Sequence, residues 1–180
     1  MNRFTRLIGV IILMAICATS FLGAAADGPK DLTSFWTIDL DGNEITEQVF
    51  ASHKLTLVNI WATFCPPCLQ EMPALAQLHE EYASKGFQVI GIVTDVYHSN
   101  QQLFMKNLET ARQIIDHTGA HYTHLLPSMD IHEKRLQYSQ VVPETFFVDS
   151  SGKIVGQTYY GAKDKSAWKK VIDSTLALLD

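Results

Sequence analysis

The 180-residue chain is 47% hydrophobic and carries 14 basic against 19 acidic residues, a formal net charge of -5. This length fits one well-packed domain and is too short for two. The acidic balance, with no Lys/Arg cluster along the chain, excludes a nucleic-acid surface of the usual electrostatic kind.

Arg3 and Arg6 precede an apolar run over residues 7–18 and the small-residue stretch Ala24-Ala25-Ala26, the plan of a secretory signal. Residues 1–26 are expected to be a signal peptide. An uncleaved N-terminal anchor is the alternative, because the apolar stretch counted to residue 26 is close to the roughly 20 residues that span a bilayer. Residues 27–180 are then one extracytoplasmic domain. Cys17 belongs to the leader, so this domain keeps only Cys65 and Cys68. Two cysteines are too few for a disulfide scaffold, and the pair reads as the working part.

Residues 35–40 alternate apolar and polar side chains, and Asp41-Gly42-Asn43 turns them into a short return strand near Ile45. Residues 55–61 are almost continuously apolar, as a central buried strand is. A helix over residues 66–83 comes next, with Leu75, Leu78 and Tyr82 on one face, Pro73 inside it and Lys85-Gly86 as its stop. Residues 87–93 form a second buried strand. The spacing of Phe104, Leu108, Ala111 and Ile115 predicts a helix over residues 101–117. A short strand at 122–126, a helix at 131–138, a hairpin of 145–149 with 154–160, and a final helix over 165–179 complete the domain. Strands that alternate with helices and close with a hairpin predict a mixed sheet covered on both faces.

The segment Trp61-Ala62-Thr63-Phe64-Cys65-Pro66-Pro67-Cys68 joins the first buried strand to its helix. A C-x-x-C pair in that position reads as a redox dithiol. A free thiol with a pKa near 8.5 is only about three per cent ionised at pH 7, and a helix N-terminus is one device that lowers it. Cys65 is placed to attack and Cys68, one turn on, to resolve the mixed disulfide. A permanent disulfide, an inert buried pair or half of a zinc site are the competing uses. Zinc needs about four ligands, and the seven histidines, at 53, 79, 98, 117, 121, 124 and 132, are scattered. No metal is expected.

The 61–68 segment, Pro73 and the later Val142-Pro143-Glu144-Thr145-Phe146 run together resemble the TlpA/ResA/DsbE-like extracytoplasmic thiol-disulfide oxidoreductases of the thioredoxin superfamily. The resemblance covers residues 33–180. It implies an α/β thioredoxin fold: a central mixed sheet flanked by helices, with an N-terminal β-hairpin and an inserted helix-strand unit between Val93 and Tyr138. It also implies that Val142-Pro143 is a cis bond opposite the dithiol, where the Val142 backbone pairs with an extended substrate. Trp61, Phe64, Pro66 and Pro67 supply the expected apolar docking rim. Glu71, three residues beyond Cys68, is a candidate for proton handling, and Glu144 for tuning the thiols. Asn59 stands at the strand position where thioredoxin carries a buried Asp.

The resemblance further implies a monomer that needs no cofactor beyond the Cys65–Cys68 disulfide. Its electrons would come from a membrane thiol carrier and pass to a protein disulfide such as that of apocytochrome c. A disulfide-forming oxidase, and a copper(I)-delivery protein using the cysteines with His98 or His124, are the alternatives. A peroxidase would need hydroxyl and Arg partners that are not evident around Cys65. The 101–117 helix is longer than is usual for the family, and the Asp95-Val96-Tyr97-His98 loop departs from its pattern.

Overall fold

The computed structural model describes residues 28–97 and 102–179. The leader expected over residues 1–26 lies outside them, and no helix among the described residues is long and apolar enough to cross a membrane.

Among the described residues seven strands and four α-helices succeed one another as β1 (Trp36–Ile38), β2 (Glu44–Thr46), β3 (Leu55–Trp61), α1 (Pro66–Tyr82), β4 (Phe87–Val93), α2 (Met105–Thr118), β5 (His124–Leu125), α3 (Met129–Lys134), β6 (Glu144–Asp149), β7 (Ile154–Tyr160) and α4 (Lys165–Leu176). The five-stranded sheet has the order β5-β4-β3-β6-β7. β3 runs parallel to β4 and antiparallel to β6, so the central strand is buried on both edges as well as both faces. This is the expected thioredoxin fold, with β1 and β2 forming the antiparallel leading hairpin.

The two faces arise from the period of two along a strand. Leu57 and Trp61 of β3 point into one core with α1, α4 and both cysteines, whereas Val58 and Ile60 point into the other with Phe35, Phe50 and Ile131. The same alternation puts Asn59 on the α1 side. Burying each large apolar side chain contributes about 1.5–3 kcal/mol, which makes β3 a rigid support for the cysteine turn at its end.

α1 runs unbroken through Pro73. Its end passes into a 3-10 turn over Ala83–Lys85 and stops at Gly86, whose φ of 72° is left-handed. Several expected elements differ in their bounds. The helix predicted from residue 101 starts at Met105, because Leu103 makes a bridge to Tyr97 instead of a helical turn. The segment predicted as one helix over 131–138 is α3 and then a separate 3-10 turn, Leu136–Tyr138. α4 ends at Leu176, short of residue 179.

Candidate active site

β3 delivers the chain through Ala62, Thr63 and Phe64 to Cys65, the N-cap of α1. Pro66 and Pro67 have fixed φ suited to the first turn and no N–H to leave unpaired. The first helical amide is therefore that of Cys68, which donates to Cys65 Sγ at 3.2 Å. The two sulfurs are bonded as a disulfide, with Cys65 4% exposed and Cys68 wholly buried. In the dithiol form the amide of Cys68 and the dipole of the 17-residue helix favour negative charge on Cys65.

The loop before the cysteines is clamped. Asp95, at the end of β4, accepts from Thr63 N at 3.0 and 3.2 Å and from Thr63 Oγ1 at 2.6 Å. Asn107 of α2 donates to the same carboxylate at 3.2 Å and to the Asp95 carbonyl at 2.7 Å. The unusual 95–98 loop thus anchors the active-site turn to both β4 and α2. Its last residue, His98, lies outside the described residues.

Trp61 is a correction to the expected rim. It is fully buried, and its indole N–H donates to His124 Nδ1 at 3.1 Å. Alternation along β3 turns it into the core, so no partner can reach it. Phe64 does stand out, at 72% exposure, and Pro66 and Pro67 are exposed beside it. Phe64 and Val142 share a groove of about 950 Å³ with Trp36, Tyr97, Met129 and Val141. The Val142–Pro143 bond is cis. Val142 packs against the core cluster that contains both cysteines.

Glu71 is buried, and each of its oxygens is engaged. Asn59 Nδ2 donates to Oε1 at 2.9 Å, while Lys163 N and Trp168 Nε1 both donate to Oε2 at 3.1 Å. Burial raises its pKa above the ordinary 4.5, and the donated hydrogen bonds pull it part of the way back. The native state therefore binds this proton more tightly than the unfolded chain does. Stability from this group is full below pH 4.5 and is lost as pH rises through the raised native value. Glu71→Gln is expected to remove that part of the slope, giving a flatter Tm-against-pH profile above pH 4.5 by calorimetry; a profile parallel to wild type contradicts the assignment.

Glu144 is buried rather than a surface charge, and it forms an ion pair with the buried Arg135 just after α3. The guanidinium also lies 3.8 Å from the centroid of the Phe146 ring. No motif marks Arg135 in the sequence, although its position four residues after the buried Ile131 puts it on the inward face of that turn.

His124, a candidate copper ligand, has both ring nitrogens engaged. Nδ1 accepts from Trp61, so Nε2 carries the proton and donates to the Ala120 carbonyl at 2.9 Å. Burial lowers its pKa to about 4. Among the described residues no group of three or more His, Cys, Asp or Glu side chains gathers as a metal site would require.

Comparison with known proteins gives a consistent set of relatives. The Redoxin family matches residues 25–172. The thiol-disulfide oxidoreductase ResA of Bacillus cereus is 27% identical over 164 residues, covering 86% of this chain and 88% of the relative. ResA of Bacillus thuringiensis is 28% identical over 168 residues, covering 87% and 89%. Among solved structures, a thioredoxin-family thiol:disulfide interchange protein from Chlorobium tepidum superposes with a TM-score of 0.66 at 23% identity, covering 84% of this chain and 99% of that one.

Proposed function

The chain belongs to the redoxin family, and from that premise we propose that it is a thiol-disulfide oxidoreductase of the ResA/DsbE type, working outside the cytoplasm to reduce disulfides in specific proteins. The observation that carries the reading is the Cys65–Cys68 disulfide at the N-terminus of α1, in a chain whose cis Val142–Pro143 loop packs against the same core cluster.

In the reduced protein the Cys65 thiolate attacks one sulfur of the substrate disulfide. A mixed disulfide forms, and the first substrate sulfur leaves as a thiolate. Cys68 then gives up its proton and attacks Cys65 Sγ; the mixed disulfide breaks, Cys65–Cys68 forms, and the second substrate sulfur is released. Two electrons have passed to the substrate. A membrane thiol carrier returns them by the same exchange in reverse, and no cofactor beyond the disulfide is needed. Glu71, one turn past Cys68 on α1, handles the resolving proton, and Glu144, held by Arg135, tunes the pair.

Phe64, Pro66, Pro67 and Val142 form the docking rim, with the Val142 backbone pairing an extended substrate segment. Apocytochrome c before haem attachment is the substrate this reading favours, met by a monomer exported or anchored through residues 1–26. Cys68→Ala tests the exchange step. It is expected to accumulate a covalent complex with a disulfide-bearing protein that dithiothreitol releases, and Cys65→Ala to accumulate none; the opposite pattern exchanges the roles. A reduction potential near that of DsbA, about -120 mV, rather than toward that of thioredoxin, about -270 mV, overturns the reducing direction.

A further inference from the structure

Trp168 sits on the buried stripe of α4, where an aromatic ring is ordinarily packing and nothing else. Its ring does pack, edge to face, against Phe147 at 6.5 Å and Tyr159 at 5.7 Å. A phenylalanine would keep an aromatic ring against those neighbours. What phenylalanine lacks is the indole N–H, which is buried and donates to Glu71 Oε2. Such a donor costs free energy unless it finds an acceptor, so indole at this position is tied to the carboxylate facing it.

The start of α4 brings two donors to one oxygen. Asp164 caps the helix by accepting from Ala167 N at 2.8 Å, which fixes the turn that carries Lys163 N and Trp168 Nε1 to Oε2. We propose that Trp168 is a positioning residue of the dithiol site: with Lys163 N it saturates Glu71 Oε2, keeps the carboxylate in one orientation, and leaves Oε1 as the oxygen that takes up and gives back the proton. This rests on the reading of Glu71 as the proton-handling group.

The surroundings of Glu71 agree with that division. On the Oε1 side stands the Asn59 amide, whose Nδ2 also donates to Thr145 Oγ1 at 3.0 Å and whose Oδ1 is buried and accepts no hydrogen bond among the described residues. The arrangement suits an ionised Glu71. When Oε1 is protonated, a half-turn of the Asn59 amide presents Oδ1 to it and to the Thr145 hydroxyl, so both forms of Glu71 can be satisfied in place. The remaining charged or titratable neighbours are the Lys163 ammonium, which lies 5.5 Å from the Trp168 ring and favours the carboxylate, and the buried Tyr122, whose own ionisation Glu71 opposes. From α1 itself the relevant group is Cys68, three residues back.

The test reads Glu71 directly, by the side-chain carboxyl carbon shift against pH in reduced protein. Trp168→Phe keeps an aromatic ring at the position and removes the donor. The Glu71 midpoint is expected to rise by about one pH unit, because the lost bond to Oε2 is stronger in the carboxylate than in the acid. In reduced wild type, the Trp168 indole N–H resonance is expected to titrate with the same midpoint, which needs no variant to fold, and to stop titrating in Glu71→Gln. An unmoved midpoint in folded Trp168→Phe, or an indole signal blind to Glu71, overturns the proposal. The thiol alkylation profile of Glu71→Gln separately tests the proton-handling reading, so the two can fail independently.

Discussion

Arg135→Met is expected to destabilise the protein by about 3–5 kcal/mol, the cost of leaving one member of a buried ion pair without its partner. Arg135 and Glu144 have side chains only 1% and 4% exposed, so no water replaces the lost guanidinium. Methionine preserves much of the volume against Phe146, which separates the charge effect from a packing defect. Arg135→Lys should rescue poorly, since an ammonium cannot both lie flat on the ring and reach the carboxylate with a planar fork. The informative partner is Arg135→Met combined with Glu144→Gln. Removing both charges should recover most of the loss, because an uncharged pair of similar volume is often as stable as the ionic one. Urea unfolding with an unchanged m-value measures both, and a loss below about 1 kcal/mol for the single variant would show the pair to be dispensable. The pair joins the end of α3 to the residue after Pro143, so its removal should also loosen the loop proposed to bind substrate.

The second large effect is at Gly91, in the middle of β4, where it faces Asn59 of β3 on one side and His124 of β5 on the other. A Cβ there would lie 2.2 Å from His124 Nδ1, 2.7 Å from its Cε1 and 3.1 Å from Trp61 Nε1. The imidazole has nowhere to go. It is held by Trp61 and Ala120 at its two nitrogens and stacked on Tyr122 at 4.6 Å. Gly91→Ala is therefore expected to cost about 3 kcal/mol, the upper part of the range for overpacking. For a domain of this size that is a fall in Tm of roughly 6–12 °C by calorimetry. Adding His124→Ser should return part of it by clearing the space. A Tm within about 2 °C of wild type would show that the ring can move after all.

Both residues bear on how much of the molecule is legible in its sequence. The bounds of β3 and β4 agree with the sequence reading to the residue, because each is an almost continuous apolar run bounded by more polar segments. The start of α2 is not legible in the same way: Phe104 continues the helical spacing, yet it stands at the N-cap while the chain before it is drawn into the Tyr97-Leu103 bridge. β5 is only two residues long because Tyr122 is buried by stacking on His124 rather than by strand pairing. At the site, the cysteine pair and the X-Pro-Glu-Thr-Phe run are contiguous and announce themselves. Arg135, the indole of Trp168 and Asp95 do not. Periodicity tells which way a side chain faces on its own element, and says nothing of the group that meets it from an element tens of residues away.

The Asp95 clamp separates two kinds of motion. Thr63 lies in an irregular turn, yet its amide and hydroxyl are both spent on one carboxylate, which Asn107 holds from the far side. The backbone leading to Cys65 is thereby as restrained as a strand, while the next side chain, Phe64, stands free in solvent. The partner proposed to dock here can rotate that ring to suit its own contour within nanoseconds without displacing the sulfur beside it. In the proposed reaction, adaptable recognition and a stationary nucleophile thus coexist in adjacent residues, and the first need not be traded against the second.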